Sequence, residues 1–216
     1  MEQKTTYQPK IFRSVAVFLQ AIQLQASRGY SHFIEGEIDE EKINAFMIKM
    51  HEKFSCCASH VQKCRNKKLG IAGTWLAFVK TANMPKAKWI ILVSGGNKEI
   101  GIWKEEFLYP IKRLNAFGRY ELRKYYRSSD NKYSYSWQLN EKTYGLLVNT
   151  IKSHQHSKSK MQFILDRIGK LPGFHLLKEQ KSELVKTRTA TADKSFREQL
   201  ILPPKLFFTR FMKHEQ

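Results

Sequence analysis

Four small groups of residues in this sequence have the types and spacing to do chemistry. His154 and His156 flank Gln155, and Tyr125 stands beside Tyr126. Two imidazoles on a divalent metal and a tyrosine oxygen attacking phosphorus are the parts of a metal-dependent nicking reaction on a phosphodiester. The histidines, however, lie in the polar stretch 154–160 and not in an apolar strand. No tyrosine follows them, so the one order left to such an enzyme uses an early tyrosine such as Tyr7 or Tyr30. Cys56, His60 and Cys64 fall at i, i+4 and i+8 of one expected helix. The ends of that series are about 12 Å apart along the axis, too far for one tetrahedral zinc with Zn–S bonds of about 2.3 Å, so no metal site is expected. Gly95-Gly96-Asn97-Lys98 follows a strand but lacks the Walker spacing and its terminal Lys-Ser/Thr. It reads as a turn, and no cofactor is expected.

The fourth group is basic. Lys63, Arg65, Lys67 and Lys68 crowd the end of a helix, and Arg123, Tyr125 and Arg127 alternate along a strand. Ammonium and guanidinium groups bind phosphate oxygens, and an exposed tyrosine stacks on bases, so these seven are the expected nucleic-acid contacts. The whole chain agrees: 38 Lys and Arg stand against 19 Asp and Glu, a net charge of +19 on 216 residues. A compact chain so charged repels itself, and a polyanionic partner relieves the repulsion. Solubility alone is reached at a far smaller charge. An anionic membrane would need a lipid-inserting helix or an acyl signal, and Met1-Glu2-Gln3-Lys4 carries no myristoylation motif. The expected partner is nucleic acid, DNA first, and no membrane.

The elements that must position these residues follow from periodicity. Val15, Phe18, Leu19, Ile22 and Ala26 stripe one face of a helix over 14–27, and Gly29 stops it. A strand over 30–38 leads to Asp39, which caps a helix carrying Ile43, Phe46, Met47, Met50 and Phe54 and running on to the basic cluster before Gly70. Short β-branched and aromatic runs at 74–79 and 88–93 predict core strands. Residues 119–127 and 133–139 predict a hairpin, with Tyr133, Tyr135, Trp137 and Leu139 facing the core and Arg123, Arg127 and the serines facing out. Short helical or irregular structure is expected near 103–114, and helices over about 141–153, 161–171 and 174–186. The class is α+β: a largely antiparallel sheet of about five strands with helices on one face, plus a helical basic C-terminal segment. The expected division is a sheet domain with an N-terminal helix over 1–153 and a basic helical segment with a docking tail, recovering at 200–208, over 154–216.

Composition excludes other classes. A hydrophobic share of 42% with 14 Phe, 9 Tyr and 4 Trp suffices for a packed core, while the longest apolar runs fall far short of the roughly 20 residues that span a bilayer. Gln20, Gln23 and Gln25 interrupt the candidate signal region. Three cysteines, two of them adjacent, make no disulfide framework, which points to the reducing cytoplasm.

At Lys88-Trp89-Ile90-Ile91-Leu92-Val93, Tyr120-Glu121-Leu122-Arg123, Trp137-Gln138-Leu139 followed by Tyr144, and Leu171-Pro172-Gly173-Phe174, the chain resembles a family of uncharacterised basic proteins carried on bacterial plasmids and integrative conjugative elements. The resemblance spans about residues 29–180 and brings no catalytic residue with it. It implies a genetic neighbourhood, that of a mobile element, and not a mechanism; with the charge argument it leads to the expectation of a DNA-binding accessory or regulatory protein of such an element. The alternatives are a nicking or replication-initiation enzyme of the relaxase type and an RNA-binding ribonucleoprotein subunit.

Overall fold

A computed structural model describes residues 10–95 and 109–203. It is an α+β fold whose chain divides into two compact units, meeting between Leu114 and Asn115. The expected readings of the 96–98 turn, of 103–108, of Tyr7 and of the tail beyond 203 lie outside the described residues.

The first unit is built on a five-stranded mixed sheet. In chain order it runs β1 (Ile11–Phe12), α1 (Val15–Ser27), β2 (Tyr30–Ile38), α2 (Ile43–Phe54), α3 (His60–Lys68), β3 (Thr74–Val79), β4 (Ala87–Ser94) and β5 (Tyr109–Pro110). The spatial order is β1-β3-β4-β2-β5, parallel between β1 and β3 and antiparallel elsewhere. All of Thr-Trp-Leu-Ala-Phe-Val in β3 is buried, because helices cover both faces. Leu76, Phe78, Ile91 and Val93 point to the α2 side and pack on Ile43, Met47 and Phe54. Phe12 points the other way and meets Phe18 of α1 edge-on at 5.7 Å. The expectation of helices on one face is thus corrected here: α1 and α2 lie on opposite faces, as the uninterrupted apolar runs of β3 and β4 require. Gly36 of β2 lies under the indole of Trp89, where an added Cβ would sit 2.7 Å from the ring.

The single helix expected from Asp39 to the basic cluster is two helices. Ser55 takes a left-handed conformation (φ 51°) and ends α2. Ser59 then starts α3 with a capping box: its Oγ accepts from the Gln62 N–H, and its own N–H donates to Gln62 Oε1. Cys56 therefore lies in the connection and not on a helix with Cys64, which removes the i, i+4, i+8 series altogether.

The second unit holds β6 (Asn115–Ala116), β7 (Tyr120–Arg127), β8 (Lys132–Leu139), α4 (Glu141–Ser153), α5 (Lys158–Gly169) and α6 (His175–Thr191). Its antiparallel sheet, β6-β7-β8, is separate from the larger one. The expected division after residue 153 falls inside this unit, where α6 packs on both β8 and α4. Three side chains close its open backbone groups. Asn140 caps α4 by accepting from Thr143 N–H (2.8 Å), while its Nδ2 donates to Asn115 Oδ1 (3.0 Å) and Gly118 O (2.9 Å). Gln180 of α6 accepts from Leu139 N–H (2.7 Å) and donates to Leu139 O (3.1 Å), imitating a strand partner on the β8 edge. Lys181, only 4% exposed, donates to the α5 end carbonyls of Gly169 (3.1 Å) and Leu171 (2.8 Å).

Two outcomes follow. Asn140→Ala should cost about 2 kcal/mol, a lost cap plus stranded acceptors. Asn140→Asp, which caps equally well, should also destabilise, because it removes the donor facing Gly118 O; urea midpoints read both. Burial pushes the Lys181 ammonium down to about 8 from the ordinary 10.5. Between those values the unfolded chain binds a proton that the folded one has lost, so this group's contribution to stability rises with pH across that window. The rise should be present in the unaltered protein and missing in Lys181→Met, in unfolding titrations at pH 7.5 and 9.5.

Candidate nucleic-acid interface

Helix α3 is unusual in that none of its described side chains is buried. Among its described side chains only Lys63 and Asn66 are half-covered, and Arg65, Lys67 and Lys68 are exposed, as are Val61 (76%) and the following Leu69 (66%). Residues 53–98 contain no Asp or Glu, so no carboxylate from that stretch can balance these cations. The helix has nine residues, fewer than the roughly 12–15 at which isolated helices become marginally stable. Its positive charges at 63 and 67, and at 65 and 68, stand at the spacings where like charges repel. The capping box and the favourable position of cations at a helix C-terminus offset part of that cost. An anion laid along the helix would offset the rest. Lys63 differs from the other three: burial lowers its ammonium pKa, with the sulfurs of Cys57 and Cys56 pulling the other way.

The hairpin carries two further surfaces. Its inner half is buried on both faces, with Leu122 and Trp137 on one and Ser136, whose hydroxyl accepts from Leu176 N–H, on the other. The expectation that the aromatic face is core and the serine face open is therefore corrected. Burial ends partway along the strands, and Tyr126 (54% exposed) and Tyr133 (67%) continue the aromatic face into solvent. The three expected hairpin contacts each hold a partner within the chain. Arg123 pairs with Glu121 (2.9 Å), Arg127 with Asp130 (2.5 Å), and Tyr125 stacks on His175 at 4.9 Å. On the opposite face Lys124 lies over the Tyr133 ring (4.7 Å) and Tyr126 meets Tyr133 edge-on (5.4 Å). Among the described residues no carboxylate pairs with Lys124. Sequence reasoning missed Lys124, Tyr126 and Tyr133 by assigning that face to the core throughout. The available signal was the change from Trp and Leu at the base to Tyr near the turn, since tyrosine's hydroxyl suits a wetter site.

A further cationic surface runs along α5. Lys160, Phe163, Arg167 and Lys170 are all exposed and share one helical stripe, with the Arg167 guanidinium over the Phe163 ring at 5.8 Å. His154 and His156 occupy the turn before this helix. His154 Nδ1 lies 2.9 Å from Thr150 O, whereas His156 Nδ1 faces Asp193 at 3.5 Å. Among the described residues no group of three or more His, Cys, Asp or Glu side chains is placed to hold a metal. Cys56 is buried, and burial pushes its thiol up to about 11.

No family model, curated protein or solved structure matches this chain. The functional reading therefore rests on the surfaces themselves. Because α3 is exposed and internally repelled, Arg65→Glu, Lys67→Glu and Lys68→Glu combined should leave the thermal midpoint within about 2 °C of the parent, as exposed substitutions do. The amide protons of 63–68 should exchange more slowly once a polyanion is added. Hydrogen-exchange mass spectrometry checks the second point, and unchanged exchange on saturation with polyanion would count against α3 as a contact.

Proposed function

We propose that this protein is a nucleic-acid-binding, non-enzymatic accessory or regulatory protein, with DNA as its first-choice partner. It engages the phosphate backbone through α3, the Lys124–Tyr126–Tyr133 face of the hairpin and the basic stripe of α5. The observation that carries the reading is α3: a helix of whose described side chains none is buried, which holds four cations and has no acidic residue in the stretch around it. Such a helix is explained by what it touches outside the chain. Exposed tyrosines beside lysine add a stacking surface that tolerates any base. Arg123 and Arg127 remain within this interface, where phosphates would compete with Glu121 and Asp130 for them. Association with a mobile genetic element rests on the resemblance at residues 88–93, 120–123, 137–144 and 171–174, and a cytoplasmic site of action rests on three cysteines that make no disulfide framework. Among the described residues no helix is long and apolar enough to cross a membrane.

The test is fluorescence anisotropy with duplex DNA, single-stranded DNA and RNA of one sequence across a salt series. The log–log slope should be several units negative, each neutralised phosphate contributing about −0.9 on duplex. The α3 triple-Glu variant should bind more than tenfold more weakly and with a shallower slope. A flat salt response would overturn the proposal, and a strong preference for the RNA probe would move it to the ribonucleoprotein alternative.

A further inference from the structure

The two faces of the β7–β8 hairpin leave their outer ends in different states. On the face of Arg123, Tyr125 and Arg127 each of these groups is already engaged: Glu121 and Asp130 take the two guanidinium groups, and His175 covers the Tyr125 ring. The other face carries Lys124, Tyr126, Tyr133 and Tyr135, because Lys124 stands opposite Tyr135 and Tyr126 opposite Tyr133 across the strands. There Tyr126 and Tyr133 are both more than half exposed, and Lys124 is exposed with no carboxylate beside it among the described residues. These groups are also held in place. Tyr126 donates its hydroxyl to Asn131 Oδ1 (2.9 Å), and Asn131 turns the chain in a left-handed conformation (φ 54°). The Tyr126 ring meets the Tyr133 ring edge-on at 5.4 Å, and Lys124 Nζ sits 4.7 Å from the centre of the Tyr133 ring. Rings fixed before binding lose little entropy when a partner arrives. With its hydroxyl proton already donated, Tyr126 has the face of its ring to offer.

This combination suits a partner with flat faces and negative charge close together. A simple anion would use the lysine and gain nothing from the rings. A duplex supplies phosphates but hides the faces of its bases, each covered by its stacked neighbours, so that only base edges reach the grooves. An unpaired strand supplies both, with bases that stack on aromatic rings and phosphates between them for the ammonium group. We propose that the outer end of this face, Tyr126 and Tyr133 with Lys124, is a stacking platform for unpaired bases, so that the nucleic acid is single-stranded where the hairpin meets it. The inference rests on the nucleic-acid reading above and narrows it, because the phosphate contacts of α3 and α5 are open to paired and unpaired strands alike. Every base has a π-face, so the platform selects the unpaired state and not a sequence.

Fluorescence anisotropy of the full chain with a base-bearing single strand and an abasic strand of equal length tests it, since the two carry the same phosphates and differ only in their bases. The base-bearing strand should bind about tenfold more tightly or better, stacking on one ring being worth about five- to 150-fold. Tyr126→Ala with Tyr133→Ala should remove most of that difference and leave the affinity for the abasic strand unchanged. Tyr126→Phe with Tyr133→Phe, which keeps both rings, should preserve it. Both side chains reach solvent, melting curves check the fold, and Tyr133→Ser alone gives the same reading should the alanine pair unfold. DNA and RNA versions of the strand identify which polymer supplies the bases. Equal binding of base-bearing and abasic strands, or a difference that survives loss of the rings, overturns the platform. If strands and duplex still bind with a steep salt dependence in that case, the phosphate reading survives alone; if nothing binds, both fail.

Discussion

Everything in the first unit depends on keeping β3 and β4 dry on both faces. The buried runs of these strands, 74–79 and 90–93, sandwiched between α1 and α2, leave no position where an ionised side chain could sit without a large desolvation cost, and Lys88 stands at the open end of β4, paired with Glu37. Polar groups near them are accordingly neutral and satisfied internally, as when Thr74 donates its hydroxyl to Phe54 O. The cations between α2 and β3 collect outside, in α3, and the second unit carries exposed cations on the hairpin tip and the outer stripe of α5. The positive surface is in this sense the complement of the core: the same stretch supplies the driest strand and the most exposed helix.

The second unit solves a different problem. A three-stranded sheet has two edges and few strands to share them, and exposed edges invite unwanted pairing. Here the edge at Leu139 is closed by a side-chain amide from α6, and the turn between β6 and β7 is tied to the α4 cap by Asn140. Lys181 does the same for the end of α5 at the cost of burying an ammonium. Side chains thus stand in for backbone partners at three places, and the hairpin beyond them is free to project.

Much of this was legible in the sequence, for particular reasons. Alternation in Tyr133-Ser134-Tyr135-Ser136-Trp137-Gln138-Leu139 marks β8, and the continuous apolar runs mark β3 and β4, because those patterns express the burial that forms them. The break in the second helix was also written there, as Ser59 followed three residues later by Gln62, but the apolar spacing of 43–54 extends plausibly past it. What pattern cannot supply is where a burial pattern stops. Tyr133 and Trp137 occupy equivalent positions on one face, yet one is exposed and the other sealed, and on the opposite face Ser136 is sealed where a helix forty residues later brings the Leu176 N–H to its hydroxyl. An open groove beside α2 and the edge of β2 was invisible for the same reason, since it is lined by residues from 33 to 113 that share no local period.

Helix α3 gives little to the folded state beyond its own capping box, and that indifference has an evolutionary reading. Substitutions in a core are filtered first by whether the protein still folds, whereas residues 63–68 are filtered almost entirely by what they meet. Contact strength there can drift, sharpen or be lost without a compensating change elsewhere. The helix is bounded by a left-handed serine on one side and Gly70 on the other, so it can be exchanged as a cassette. A designer could rewrite it for a different polyanion and leave the sheet that carries it untouched.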